Sequence, residues 1–174
     1  MRTIWSASAE ALDDALAQGE NGAPGRSIGA AIIAARQFAE AAARETLTGE
    51  ALDTRIPQFR QYLVRRLGMR REECVMVLFF TEEGLFIAED FYEGGRRGGV
   101  VIPLRRTVRR AFDLDARRLV IAHNHPSGAA WPSEADIAAT EHLRGVVEAL
   151  EIALEDHCIV AGNTVASMRV AGLI

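Results

Sequence analysis

Apolar residues in the second half of the chain fall into short runs that predict β-strands. Residues 74–80 (CVMVLFF) form a continuous apolar run of strand length, which is typical of a strand buried on both faces. Further runs of strand length, bounded by turn-forming residues, lie at residues 84–92, 118–123, 155–162 and 165–170. The pattern therefore predicts a sheet of about five strands, of which the last two form a hairpin.

Helical sequence patterns occupy the segments between and before these strands. The alanine-rich residues 30–47 have strong helix propensity, and Pro57 and Pro103 stand where the first turn of a helix accepts proline. We predict helices at residues 9–17, 30–47, 57–68, 104–114 and 133–152, a turn-rich break at residues 21–29 and a glycine loop at residues 94–99. Helices that flank a mixed sheet define an α/β or α+β fold.

The composition of the chain is that of a globular protein of ordinary size. Its 174 residues are 49% apolar and 25% charged, which suits one domain with a small helical extension. No apolar run approaches the roughly 20 residues that cross a bilayer. The N-terminal segment also lacks the apolar core of a signal peptide. We therefore expect a cytoplasmic protein with no membrane contact.

The clearest candidate chemistry lies where the predicted strand 118–123 ends in a loop. His123 and His125 are two residues apart, so both imidazoles can point to the same side of an extended chain. Seven residues separate His125 from Ser133 at the start of the next predicted helix, and Asp136 lies three residues further on. Two imidazoles and one carboxylate suit catalytic zinc, because they leave the fourth tetrahedral position to water. The spacing predicts a site in which His123, His125 and Asp136 bind the metal.

Ser133 and Asp136 also allow a simpler interpretation. Ser-x-x-Asp before an apolar run is a helix capping box in its own right, and such a pair taken alone is more often a cap than a catalytic group. However, two of the four histidines of the chain stand at the spacing that a metal site requires. Ordinary residue frequencies make this combination rare by chance, which favours the metal site.

The metal pattern resembles the JAMM (MPN-plus) motif, in which His-x-His is followed by seven residues, a serine, two residues and an aspartate. The version HNHPSG at residues 123–128, with PSEAD at residues 132–136, resembles that of the RadC family. Segments along the rest of the chain, including RREECVMVLFF, VVIPLRRTVRRAFDL and LEDHCIVAG, also follow the RadC order. The resemblance implies a JAMM/MPN-like (cytidine-deaminase-like) fold in residues 51–174, a curved mixed sheet flanked by helices with zinc at a strand end. Residues 1–50 would form a helical extension.

The same resemblance implies roles for individual residues. The three predicted ligands match those of one zinc ion, and Ser133 matches the residue that orients water and stabilises the tetrahedral oxyanion. Glu73 is the best match to the general base of the family, with its neighbour Glu72 as the alternative. Such a glutamate accepts a proton from the zinc-bound water and passes it to a leaving amine. An ordinary solvated residue at a strand start is the competing interpretation of Glu73.

A basic patch and a shortened N-terminal region differ from the RadC pattern. In RadC proteins a helix-hairpin-helix unit precedes the zinc domain, and we expect that unit to be reduced here to residues 1–28. The patch comprises Arg96, Arg97, Arg105, Arg106, Arg109 and Arg110. Such a cluster is usually a solvated face, but it would also suit phosphates or an acidic partner. The net charge of −4 argues against strong general binding of nucleic acid.

Three functions are compatible with the sequence. The first is a zinc-dependent hydrolase, a metallopeptidase or isopeptidase acting on a peptide or protein substrate. The second is an accessory protein of DNA repair that contacts nucleic acid through the basic patch and holds a non-catalytic zinc. The third is a metal-bound interaction module without turnover. The intact metal motif favours the first.

Overall fold

The computed structural model describes residues 25–45, 47, 51–93 and 101–174. The chain divides into two compact units, residues 1–45 and 46–174. In the first unit the described element is helix α1 (Gly25–Glu45). The second unit contains helices α2 (Pro57–Leu67), α3 (Leu104–Asp113) and α4 (Glu134–Glu148) and strands β1 (Cys74–Phe80), β2 (Phe86–Glu93), β3 (Arg118–Asn124), β4 (Ala153–Ala161) and β5 (Thr164–Ser167). None of the helices in these ranges is long and apolar enough to span a bilayer. The assignment of residues 1–50 and 51–174 to an extension and a zinc domain stays a prediction.

The five strands form one open mixed sheet in the order β2-β1-β3-β4-β5. Strand β1 lies antiparallel to both β2 and β3, β3 is parallel to β4, and β5 returns antiparallel to β4. A parallel pair needs a crossover connection, and α4 supplies it between β3 and β4. The predicted α/β fold with a five-stranded mixed sheet and flanking helices is confirmed.

Both faces of the sheet are covered at β1, and this strand is therefore buried along its whole length. On one face, alternate residues of β1 and β3 pack with residues of α3 and α4: Val75, Val77, Phe79, Leu119, Ile121, Ala111, Leu143 and Val147. Helix α2 contacts β3, β4 and β5 and supplies further cover through four buried side chains, Phe59, Tyr62, Leu63 and Leu67. Along β3, His123 continues the alternate series that faces α4. His123 therefore lies on the face of the sheet that α4 covers, and α4 carries Asp136.

Two helices differ in extent from the sequence prediction. Helix α1 begins at Gly25, inside the residues 21–29 predicted as a break. Glycine within a helix costs only about 1 kcal/mol, so it did not prevent the helix from starting there. Helix α4 ends at Glu148 and not at residue 152, because Glu151 adopts a φ of 60° that a right-handed helix excludes.

The closing hairpin is shorter than the sequence predicts. Strand β5 ends at Ser167 and not at residue 170, because the chain turns there and the Ala171 N–H donates to the Ser167 carbonyl at 3.1 Å. Strand β2 starts at Phe86, after a turn in which Gly84 has a φ of 85°. The predicted helix at residues 9–17 and the glycine loop at residues 94–99 lie outside the described residues.

Candidate metal centre

The end of β3 and the start of α4 bring two imidazoles and a carboxylate together. His123 is the penultimate residue of β3 and fully buried, whereas His125 follows the strand and its side chain is 12% exposed. The Nε2 atoms of His123 and His125 each lie 3.4 Å from a different oxygen of Asp136, and they are 2.8 Å from each other. Among the described residues, these three form a group that could hold a metal ion.

The donor set fits a divalent transition metal. The Nδ1 atom of His125 lies 2.8 Å from the Ala129 carbonyl, which can only accept, so the ring proton sits on Nδ1 and Nε2 carries a lone pair. In His123 the Nδ1 atom is likewise engaged, by His157 at 2.7 Å. Two Nε2 atoms and a carboxylate this close favour a shared cation among them, a proton or a metal ion. The 3.4 Å separations are also near the roughly 3.3 Å expected between tetrahedral zinc ligands.

Ser133 fixes the carboxylate of Asp136 in this position. The Ser133 hydroxyl and its backbone N–H both donate to Asp136 Oδ2, at 2.6 and 2.7 Å, and the Asp136 N–H donates back to Ser133 Oγ at 3.2 Å. The simpler interpretation, a capping box, is therefore present, and the same contacts orient the candidate ligand. Burial raises the pKa of Asp136, but its neighbours, including the Ser133 hydroxyl and backbone N–H, lower it more, so this pKa lies below its ordinary value. The carboxylate is charged at neutral pH.

The adjacent residues Asp156 and His157 of β4 serve opposite faces of the sheet. His157 is fully buried beside His123, and burial lowers the pKa of His157 to about 3, an effect to which His123 adds. His157 is therefore neutral. The Asp156 carboxylate instead accepts hydrogen bonds from Thr54 at 2.7 Å and Ser167 at 2.6 Å. The two side chains therefore have separate partners.

The strand register distinguishes Glu73 from Glu72. Val75 pairs with His123, so continuing the register places Glu73 opposite His125 and on the same face of the sheet. Glu73 is half-buried, whereas Glu72 is exposed and, by alternation, lies toward the other face. The position of Glu73 agrees with a group beside the metal; its chemical role stays a prediction.

Asn124, between the two histidines, was not singled out from the sequence. Its buried side chain accepts a hydrogen bond from the Cys74 N–H at 2.9 Å and donates to the carbonyls of Glu72 at 3.0 Å and Arg70 at 3.2 Å. The bonds to Glu72 and Cys74 hold the backbone on either side of Glu73. A polar residue at the end of a buried strand, between two candidate ligands, is the signal that could have identified it.

Most of the predicted basic patch is visible on α3, where arginines contact side chains of the same unit. Arg106 lies over the Tyr92 ring at 4.9 Å, Arg110 is 3.4 Å from Asp90, and Arg109 is 4.0 Å from Asp113. Arg105 is exposed on the same helix. Arg96 and Arg97 lie outside the described residues. Binding of nucleic acid by this patch stays a prediction.

Comparison with known proteins finds similarity along most of the second unit. A family model described as a RadC-like JAB domain matches residues 54–173. A UPF0758 protein of Rhodobacter capsulatus is 34% identical over 151 residues, covering 84% of this chain and 71% of that protein. A UPF0758 protein of Polaromonas sp. is 37% identical over 146 residues, covering 83% and 65%, and one of Acidithiobacillus ferrooxidans is 35% identical over 130 residues, covering 75% and 58%. The chain thus spans about two thirds of the length of these relatives.

Proposed function

This chain belongs to the RadC family, and we propose that it is a zinc-dependent hydrolase of amide bonds, with His123, His125 and Asp136 as the metal ligands. The observation that carries the proposal is the convergence of two Nε2 atoms and a charged, buried carboxylate at the end of β3. Zinc in such a site supplies a water of pKa about 7 and a Lewis acid for a carbonyl.

Two residues of the chain would complete the reaction. Glu73 would accept a proton from the attacking water and return it to the leaving amine, and the register of β1 with β3 supports this role. Ser133 stands beside the ligand carboxylate, and its hydroxyl would orient water and stabilise the developing oxyanion once it turns from Asp136 Oδ2, which keeps its bond from the Ser133 backbone N–H. We propose a peptide or isopeptide as substrate, because this proton transfer suits an amine leaving group.

Metal analysis of the purified chain tests the ligand assignment. We expect about one zinc per chain in the wild type, and loss of that zinc in a His123→Ala, His125→Ala double variant. His142→Ala is the matched control, because His142 lies exposed on α4 and its loss should leave the zinc in place. The same analysis detects ferrous iron, another occupant of sites with two histidines and one carboxylate.

The activity is tested on the zinc-loaded chain with a panel of peptides and isopeptide-linked peptides. Cleavage that disappears in the double variant and survives in His142→Ala supports the hydrolase. Equal zinc content in the wild type and the double variant would contradict the ligand assignment. Stoichiometric zinc without cleavage of any member of a broad panel would instead favour a metal-bound interaction module.

A further inference from the structure

A series of buried hydrogen bonds connects two of the proposed metal ligands, His123 and Asp136. It passes through His157 and Thr140, which lie outside the proposed ligand set. The His123 Nδ1 atom is 2.7 Å from His157 Nε2, and the His157 Nδ1 atom is 2.6 Å from Thr140 Oγ1. Thr140 in turn donates its proton to the backbone carbonyl of Asp136 at 2.5 Å. His123, His157 and Thr140 are all completely buried.

The backbone carbonyl of Asp136, at the end of this series, determines which atom donates and which accepts in each of its hydrogen bonds. A carbonyl only accepts, so the single hydroxyl proton of Thr140 points to Asp136, and Thr140 must accept from the Nδ1–H of His157. A neutral imidazole carries one ring proton, which leaves His157 Nε2 as an acceptor. His123 Nδ1 is therefore the donor, and the lone pair of His123 lies on Nε2, the atom that faces Asp136 and His125.

The series closes into a ring, because His123 Nε2 and Asp136 Oδ1 are 3.4 Å apart. The ring joins β3, β4 and α4, the three elements that meet at the site. Loss of the Thr140 hydroxyl would leave His157 free to adopt the opposite tautomer. His157 could then donate from Nε2, so that His123 would carry its proton on Nε2, where it blocks metal binding.

We propose that His157 and Thr140 are positioning residues for the metal, which fix the tautomer of His123 and its placement relative to Asp136. This inference rests on the proposed metal site. Partners behind a metal ligand commonly change metal affinity by about 10- to 100-fold, and we expect Thr140→Val to weaken zinc binding by that factor.

The test compares three threonine variants of the full chain. Thr140→Val removes the hydroxyl at nearly constant volume, and Thr140→Ser retains it. Thr107→Val is the matched control, since Thr107 is a fully buried threonine on α3 whose hydroxyl lies outside the ring. Zinc affinity is measured by competition with a chromophoric chelator. We expect weaker binding in Thr140→Val alone, with affinity restored in Thr140→Ser. The cobalt-substituted protein should show an altered visible spectrum in the same variant.

A second measurement needs no variant to fold and no metal to bind. In metal-free protein labelled with ¹⁵N-histidine, the ring of His123 should show a proton on Nδ1. A His123 ring without a proton on Nδ1 would overturn the inference, as would equal zinc affinity in Thr140→Val and the wild type. Failure of the wild type to bind zinc would instead refute the proposed function, while the ring spectrum would still decide the tautomer.

Discussion

Asn124 shows how one side chain connects the ligands to the candidate base. It stands between two candidate metal ligands and bonds to the backbone of Glu72 and Cys74, so the backbone of Glu73 between them is held on both sides. A buried amide with three good partners is a rigid connection, because each lost bond would leave a buried polar group unsatisfied. The position of Glu73 relative to the histidines is therefore set by direct contact.

The role of Glu73 is tested by replacing its carboxylate with an uncharged amide of nearly the same shape. We expect Glu73→Gln to retain zinc and to abolish the amide hydrolysis proposed here, because the amide cannot accept and return a proton. Loss of a general base typically lowers the rate by about 10²- to 10⁴-fold. Glu72→Gln is the neighbouring control and should leave both zinc content and rate unchanged. If Glu73→Gln loses its zinc, or keeps full activity, the base lies elsewhere.

At the scale of elements, the end of α2 packs closely on the turn between β4 and β5. A β-carbon on Gly68 would lie 2.3 Å from the carbonyl oxygen of Gly162 and 2.7 Å from that of Val64. Both contacts are to backbone, which cannot move aside as a flexible side chain can. Gly68 has an ordinary helical φ of −61°, so its requirement for glycine is steric and comes from the neighbouring turn.

Two glycine-to-alanine substitutions separate this packing from intrinsic helix propensity. We expect Gly68→Ala to lower the free energy of unfolding by about 1–3 kcal/mol, because it forces the helix and the turn apart. Gly145→Ala, in α4 with open space around the new methyl group, should instead raise it by about 0.5–1 kcal/mol. Urea unfolding of both variants measures the difference. A neutral or stabilising Gly68→Ala would show that the close approach is not required.

At the scale of the whole molecule, the neutral His157 makes stability depend on pH. Its pKa is about 3 in the folded chain and about 6.5 in the unfolded chain. Between these values the unfolded state binds a proton that the folded state does not, so the contribution of His157 to stability falls as the pH falls and is constant above about 6.5.

The size of this effect is up to about 1.4 kcal/mol per pH unit. Metal-free protein, kept so with a chelator, should lose this stability as the pH falls from about 6.5 towards 3. In His157→Gln the free energy of unfolding should change less with pH, by the amount that corresponds to the uptake of about one proton on unfolding. Urea titrations at several pH values provide the measurement. Equal slopes in the two proteins would mean that His157 is not held neutral by the fold.

The basic patch concerns the surface of the whole molecule. Arginines that already contact Asp90, Asp113 and Tyr92 would have to give up these partners to reach phosphates. We therefore expect weak binding of oligonucleotides, with a dependence on salt of nearly one log unit in affinity per log unit of salt for each phosphate neutralised.

The measurement is a salt titration of fluorescent single- and double-stranded oligonucleotides. If both arginines contact phosphates, a variant with Arg105→Ala and Arg109→Ala should reduce the slope of log affinity against log salt concentration by about two. A variant with Arg55→Ala and Arg144→Ala is the control, because it loses the same number of positive charges outside the basic patch. Sub-micromolar affinity at physiological salt that is lost only in the first variant would place nucleic-acid binding ahead of hydrolysis.

The sequence by itself predicted most of the described elements and grouped the candidate metal ligands. The apolar run at residues 74–80 coincides with β1, because a strand buried on both faces has no polar positions to obscure it. His123, His125 and Asp136 could be grouped from spacing alone, because a strand end, one loop and a helix start fix their separation locally. The cap that orients Asp136 is also local, since Ser133 is three residues away.

Only the tertiary structure decided what surrounds those ligands. Asn124 meets Cys74 across 50 residues, His123 meets His157 across 34, and Thr140 meets His157 across 17. Each contact depends on the order of the strands and on the register between them. Register changes the face of every side chain in a strand when it slips by one residue, and no local spacing reports it. For the same reason the sequence left Glu72 as an alternative to Glu73, and the pairing of β1 with β3 is what favours Glu73; its role stays a prediction.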